Sequence, residues 1–158
     1  MKRIIFFCLL LSITGFLYAQ QNNGKFAAGL GLEWNTKSRE DIAMAAGALF
    51  SFNFNFASSF AVGINFTASN DFRGVTSLEP AALFRWYFLS REYTGWFVQA
   101  EAGALLVLED GEDIIPMISG GLRAGIRLPL GSLFFIEPYG RFGYPVGFGI
   151  GVMAGIMF

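Results

Sequence analysis

Histidine is absent from all 158 residues of the chain, and cysteine occurs once, at Cys8. The first absence removes the commonest general base and metal ligand. The second leaves no partner for a disulfide. Charge is scarce as well: 15 % of residues, with 11 Lys+Arg set against 12 Asp+Glu. So balanced a chain has no basic footprint, which excludes nucleic acid as a partner. Its 54 % hydrophobic content excludes disorder. Long apolar runs are also missing. After Ala19 no stretch reaches the ~18 consecutive apolar residues that a spanning helix needs. What is abundant is an unusual pair, 20 Gly and 19 Phe. A soluble core draws on Leu, Ile and Val, whereas Gly alternating with Phe suits a sheet crowded on one face and greasy on the other.

The chain begins with Lys2 and Arg3, an apolar stretch from Ile4 to Leu17, and Tyr18-Ala19. A basic start, an apolar segment and a small residue before the cut form the signal-peptide pattern, with cleavage expected after Ala19. Lipidation at Cys8 is disfavoured because Ile5, Phe6 and Phe7 lack the small residue that such a cut requires. Two units are therefore expected: a signal peptide at 1–19 and one domain at 20–158. Removing 19 residues also removes the only Cys and two basic residues, so the mature charge is 9 − 12 = −3.

From Lys25 onward the chain alternates with a period of two. Eight runs show it, at 25–34, 42–54, 60–67, 78–88, 96–106, 118–128, 134–143 and 147–158. One face of each run is apolar; the other is small or polar with isolated charges. Polar or Gly/Pro-bearing connections separate them, such as Asn70-Asp71-Phe72-Arg73-Gly74. Eight strands of roughly ten residues make the smallest closed spanning barrel. Two observations set which face is outside. The apolar face holds no charge in any run, as a lipid-facing surface requires. The other face is rich in Gly, Ala and Ser, which fit the narrow lumen of an eight-stranded barrel. The expected fold is thus an all-β, closed antiparallel eight-stranded transmembrane barrel. Phe26, Leu30, Phe50, Ile64, Phe84, Val98, Leu122, Ile136 and Val152 are expected to face lipid. If the first strand runs outward from the periplasm, Trp86, Tyr93 and Trp96 gather at the inner rim with Phe54, Phe56 and Phe88. Trp34, Phe72 and Tyr144 then gather at the outer rim, giving two interfacial belts.

Signal peptide, eight alternating strands and a terminal aromatic together resemble the small eight-stranded bacterial outer-membrane barrels of the OmpX and OmpA-barrel type. The resemblance covers residues 20–158 as architecture. It implies an outer-membrane location and outer-membrane lipids as surroundings. It also implies that Phe158, with Ile156 and Val152 at alternate positions before it, is an assembly signal read by the barrel-assembly machinery. The expected outward connections, 35–40, 70–74, 109–113 and 144–146, are shorter than the long loops common in that group, which argues against adhesin-like roles.

Catalytic, metal and cofactor sites are all read as absent. Lipid-modifying barrels use His with Ser and an acid; this chain has no His, and Ser59, Ser69 and Ser77 lack an evident base. The acidic run Glu109-Asp110-Gly111-Glu112-Asp113 offers oxygen ligands for Ca²⁺, but its spacing matches no loop motif and a solvated charge run explains it. The glycines from Gly147 to Gly155 recur on one face, so packing space explains them better than a phosphate cradle. Pro80 and Pro138 sit inside expected strands, each directly after a Glu, and a bulge is expected at each, the alternative being that the fourth and seventh strands break there and leave the barrel shorter on that side.

The lumen-facing charges carry the sharpest expectation. Register places Arg85 opposite Gln99 and diagonal to Glu101, and Glu101 diagonal to Arg123. A turn at Leu130-Gly131 would set Arg123 opposite Tyr139, with Glu137 diagonal to Arg123 and Arg127. Diagonal neighbours lie ~7–8 Å apart, within reach of long side chains. Arg85, Glu101, Arg123, Arg127, Glu137 and Arg141 are therefore expected to form a lumenal network that plugs the barrel. The expected role is structural or interactive, with no enzyme activity and no small-molecule substrate identifiable. Two alternatives stand: a narrow conduit for small or hydrophobic solutes, and a soluble lipocalin-like periplasmic carrier. Conductance recordings separate the first from a plug; detergent fractionation and heat-modifiable gel migration separate the second.

Overall fold

The structure is a computed structural model that describes residues 25–37, 44–88, 93–109 and 114–158. Within them lie eight strands: β1 (Phe26–Lys37), β2 (Met44–Ala57), β3 (Phe60–Asn70), β4 (Val75–Tyr87), β5 (Gly95–Glu109), β6 (Ile115–Leu130), β7 (Phe134–Tyr144) and β8 (Val146–Met157). Each pairs antiparallel with its sequence neighbours, and β8 pairs with β1 to close the barrel. The signal-peptide segment and most of the acidic run lie outside the described residues.

Closure follows from alternation. With one face of every strand apolar and the other small or polar, a sheet curled shut removes all its edges and segregates the two faces. Following one row of partners shows how it closes. Phe26 opposes Phe54, which opposes Val62, then Phe84, Ala100, Leu122, Phe142 and Phe148 in turn, and Phe148 opposes Thr36. The row returns 36 − 26 = 10 residues further along β1, which corresponds to strands tilted by about 40° from the axis. Both ends of the paired chain, Phe26 and Phe158, lie at one end of the barrel, joined by Phe26 N–H to Phe158 O at 2.7 Å and the reciprocal bond at 2.8 Å. We call this the terminal end and the opposite one the far end.

Several strands run longer than their alternation suggested. On β6, for example, Ile115 and Pro116 still pair with Val107 and Leu106, although the polar face has faded there. The far-end turn after β3 is fixed locally. Asp71 Oδ1 accepts from the backbone N–H of Arg73 and Val75, at 2.9 and 3.0 Å, and Gly74 supplies the positive φ of 99°.

The prolines behave differently from expectation: neither makes a bulge. Leu78 opposes Leu106 and Ala81 opposes Gly103, so register is unchanged across Pro80. Leu128 opposes Ile136 and Gly125 opposes Tyr139, so it is unchanged across Pro138 too. Each proline faces outward and interrupts pairing with one neighbour only, β5 for Pro80 and β6 for Pro138. A missing donor can thus be absorbed on one side while the other ladder holds the strand in place. The register shifts fall elsewhere, at Thr36/Lys37 and Asn55/Ala57.

Inside and outside are sharply divided. Leu30, Ile118 and Phe142 are 69 %, 85 % and 69 % exposed, while Arg127 and Glu137 are 0 %. All nine residues expected to face lipid lie on the outward face; none is in the lumen.

Candidate functional site

The lumen is filled by side chains in two zones. Near the terminal end, Tyr87, Phe97 and Phe135 cluster with Ala27 and Ala61. These residues sit at or next to the strand ends of β4, β5, β7, β1 and β3. Three guanidinium groups lie on aromatic faces: Arg85 over Phe97 at 4.0 Å, Arg127 over Phe135 at 4.2 Å and Arg123 over Tyr139 at 4.2 Å. Such stacking suits the delocalised, weakly hydrated guanidinium where an ammonium would not fit.

Above this layer runs one continuous polar chain. Arg127 Nε donates to Glu137 Oε1, which also accepts from Arg85 Nη1 at 2.7 Å. Arg85 Nε donates to Gln99 Oε1 at 2.7 Å, and Gln99 Nε2 donates to Glu101 Oε1. Glu101 pairs with Arg123 Nε at 2.9 Å, and Arg123 Nη2 lies 3.1 Å from Glu33 Oε2. Glu33 Oε1 then accepts from Arg141 Nη1 at 3.0 Å. Arg141 closes the chain with a two-pronged bond to Glu79, at 2.8 and 2.9 Å. Asn65 Nδ2 adds a bond to Glu101 at 2.7 Å, and the Tyr139 hydroxyl donates to Glu33 at 2.9 Å. Among the described strand residues, the buried charges are four Glu and four Arg, so the lumen sums to zero. Burial of that many charges is sustainable only with this degree of pairing.

All six expected network residues, Arg85, Glu101, Arg123, Arg127, Glu137 and Arg141, come together. Their wiring differs in one place. Arg123 faces Arg141 rather than Tyr139, because the turn between β6 and β7 spans Gly131, Ser132 and Leu133 and centres two residues' worth of register later. Glu137 consequently serves Arg127 and Arg85, not Arg123. Two acids, Glu33 and Glu79, were missed. Both lie on the lumenal face by alternation; what hides them is that their partners lie across the lumen, not on the adjacent strand.

Of the residues expected to form aromatic belts, several face outward and one turns inward. Trp86, Trp96 and Phe56 are outward at the terminal end, and Trp34, Phe72 and Tyr144 outward at the far end. Tyr93 instead packs edge-on against the lumenal Tyr87 and joins the inner cluster. A backbone φ of 59° at Tyr93 turns it over the lumen mouth, which period-two alternation could not reveal because the residue lies outside any strand. At the chain end, Val152 faces outward, and the Phe158 ring stacks with Phe26 at 5.9 Å.

A closed antiparallel eight-stranded barrel with an apolar exterior and a charge-paired lumen has the fold of the small outer-membrane barrels. Solved structures agree. Neisserial surface protein A (NspA) superimposes with a TM-score of 0.75 at 11 % identity, covering 85 % of this chain and 97 % of that one. The N-terminal β-barrel domain of Pseudomonas aeruginosa OprF gives 0.59 at 12 % identity, covering 84 % and 97 %. The P. aeruginosa outer membrane protein OprG gives 0.52 at 10 %, covering 85 % and 93 %. No protein-family model matches the sequence, and a search of curated proteins found no match.

Proposed function

We propose that the protein is an integral outer-membrane barrel with a structural or interaction role, non-enzymatic, whose lumen is plugged by paired side chains. One observation carries the reading: the molecule is apolar outside and charged inside, the reverse of a soluble carrier. Leu30, Ile64, Leu122 and Val152 need a hydrocarbon environment to cover them. The exchange of every lumenal charge with a partner, and the aromatic layer beneath, argue for a plug rather than a conduit. Outer-membrane lipids are the surroundings, and export by the signal peptide with cleavage after Ala19 delivers the chain to the periplasm. The terminal end then faces the periplasm, and the barrel-assembly machinery is the partner that reads Phe158, Ile156 and Val152.

Two measurements test this. The protein should fractionate with outer membranes and migrate differently on gels with and without heating, and planar bilayers containing it should show no conductance steps. A soluble, heat-insensitive species would sink the membrane reading, and steady single-channel steps would sink the plug. A chain lacking Phe158 should reach the outer membrane at reduced abundance; normal abundance would remove the assembly role.

A further inference from the structure

Of the eight buried charges on the described strands, seven lie on four consecutive strands, β4 to β7, and the eighth, Glu33, comes from β1. Those seven are four Arg and three Glu, a surplus of one positive charge. Strands joined by short connections meet at low entropic cost, so this group can assemble within the four-strand run β4 to β7, its longest contacts spanning 52 and 62 residues. Glu33 is different. It meets Tyr139 and Arg141 across 106 and 108 residues of chain.

The route of those two contacts is unusual as well. Tyr139 and Arg141 belong to β7, Glu33 to β1, and β8 lies between them in the sheet. Both side chains therefore cross the inner face of β8 to reach the carboxylate. Glycine makes the crossing possible. A Cβ at Gly151 would stand 2.4 Å from the Tyr139 hydroxyl oxygen, and one at Gly149 would stand 3.0 Å from Arg141 Cγ. β8 presents no charge of its own to the lumen; Gly149, Gly151, Met153 and Gly155 line it. The seam between β1 and β8 is held by backbone pairing, by Thr36 Oγ1 bonding the Phe148 backbone at its far end and the Phe26–Phe158 ring contact at its terminal end, and between them by whatever spans it from the lumen.

We propose that Glu33 is the latch of the β1–β8 seam. Its carboxylate, gripped by Tyr139 and Arg141 over β8 and by Arg123 from β6, neutralises the surplus charge of the β4–β7 group only once β1 has paired with β8. Seam closure and charge balance are then one event, and Glu33 decides whether that seam stays shut. Opening here would leave a positive lumen facing the gap, which is the arrangement a low-dielectric surround penalises most.

Residue-resolved amide hydrogen exchange on the full barrel in detergent micelles tests the proposal. In Glu33→Gln, amides of β1 and β8 such as Leu32 and Val152 should exchange about tenfold faster, the equivalent of one lost charge-assisted bond, while β5 and β6 amides such as Val98 and Leu122 stay within about twofold. Tyr139→Phe removes only the hydroxyl that reaches Glu33, and should show the same seam-confined pattern at smaller size; it decides the matter if Glu33→Gln does not fold. Glu79→Gln is the control, because it takes a partner from the same Arg141 on the β4 side. Faster exchange confined to β1 and β8 in the first two variants, and not in the control, supports the latch. Exchange that rises equally on all strands, or a seam opened as much by Glu79→Gln, overturns it.

Discussion

From β4 to β7 the lumen wall carries Arg85, Arg123, Arg127, Tyr87, Phe97 and Phe135, the largest fully buried side chains of the barrel. From β8 round to β3 the wall carries Gly29, Gly31, Gly47, Gly63, Gly149, Gly151 and Gly155, interspersed with Asn35, Ser51, Asn53 and Asn65. One wall supplies most of the volume and seven of the eight buried strand charges, the other supplies room, neutral hydrogen-bonding groups and the single carboxylate of Glu33. Neither would pack against a copy of itself: two charged walls would overfill the tube, and two glycine walls would leave it hollow. The difference teaches that a narrow barrel can be filled asymmetrically, and that the glycines belong to the same device as the arginines.

Breaking the charged wall should have the largest effect. Glu137→Ala strands Arg85 and Arg127 at once and should cost about 3–5 kcal/mol in urea unfolding. A change much under 1 kcal/mol would show that the two guanidiniums are supported by their aromatic neighbours and, for Arg85, by its bonds to Gln99 and the Tyr87 hydroxyl. Next, a charge can be moved to the outside of the same wall. Leu122 adjoins Arg123 in sequence but points outward, and Leu122→Arg should cost ~2–4 kcal/mol in refolding into bilayers, because it is the face and not the strand that tolerates charge.

The glycine wall is probed by filling it. A Cβ at Gly63 would stand 2.0 Å from the Phe52 carbonyl oxygen, so Gly63→Ala should cost about 1–3 kcal/mol in the same unfolding assay. Gly140 faces outward with nothing closer than 3.8 Å, and Gly140→Ala should stay within about 0.5 kcal/mol. Equal penalties for the two would mean that room in the lumen is not what the glycines provide. Smallest of all should be Ser51→Ala, which deletes a single 3.3 Å bond from Asn53 Nδ2 and should cost about 0.5–1 kcal/mol by thermal unfolding.

Much of this could be read in the residues, because period-two alternation fixes both strand and face at once. The lipid-facing set and the closed topology follow from it, and the pairing of Arg85 with Gln99 and of Glu101 with Gly121 follows once the hairpin turns are placed as well. What alternation does not carry is distance across the lumen. Glu79 reaches Arg141 on a strand three away, and Glu33 reaches over β8 to β7; hairpin reasoning compares neighbours only. The inward turn of Tyr93 was hidden for a related reason, since a connection has no alternation to read. The prolines misled because a missing donor suggests a bulge, whereas here the second ladder holds the strand in register.

The β6–β7 turn exposes a further consequence of the charge chain. Setting Arg123 against Tyr139 or against Arg141 satisfies the greasy-out, polar-in pattern equally well, because a slip by two residues returns every side chain to its own face. Hydrophobicity alone is therefore degenerate: it admits a ladder of alternative barrels, each offset by an even step and each acceptable to the lipid. The ion pairs lift that degeneracy. A slip of two on β7 would carry Glu137 away from Arg127 and Arg85, and Arg141 away from Glu79, while leaving the exterior untouched. The lumen thus acts as the key code of the fold, distinguishing the alignment in which Glu137 meets both Arg127 and Arg85 and Arg141 meets Glu79 from others that the membrane could not tell apart.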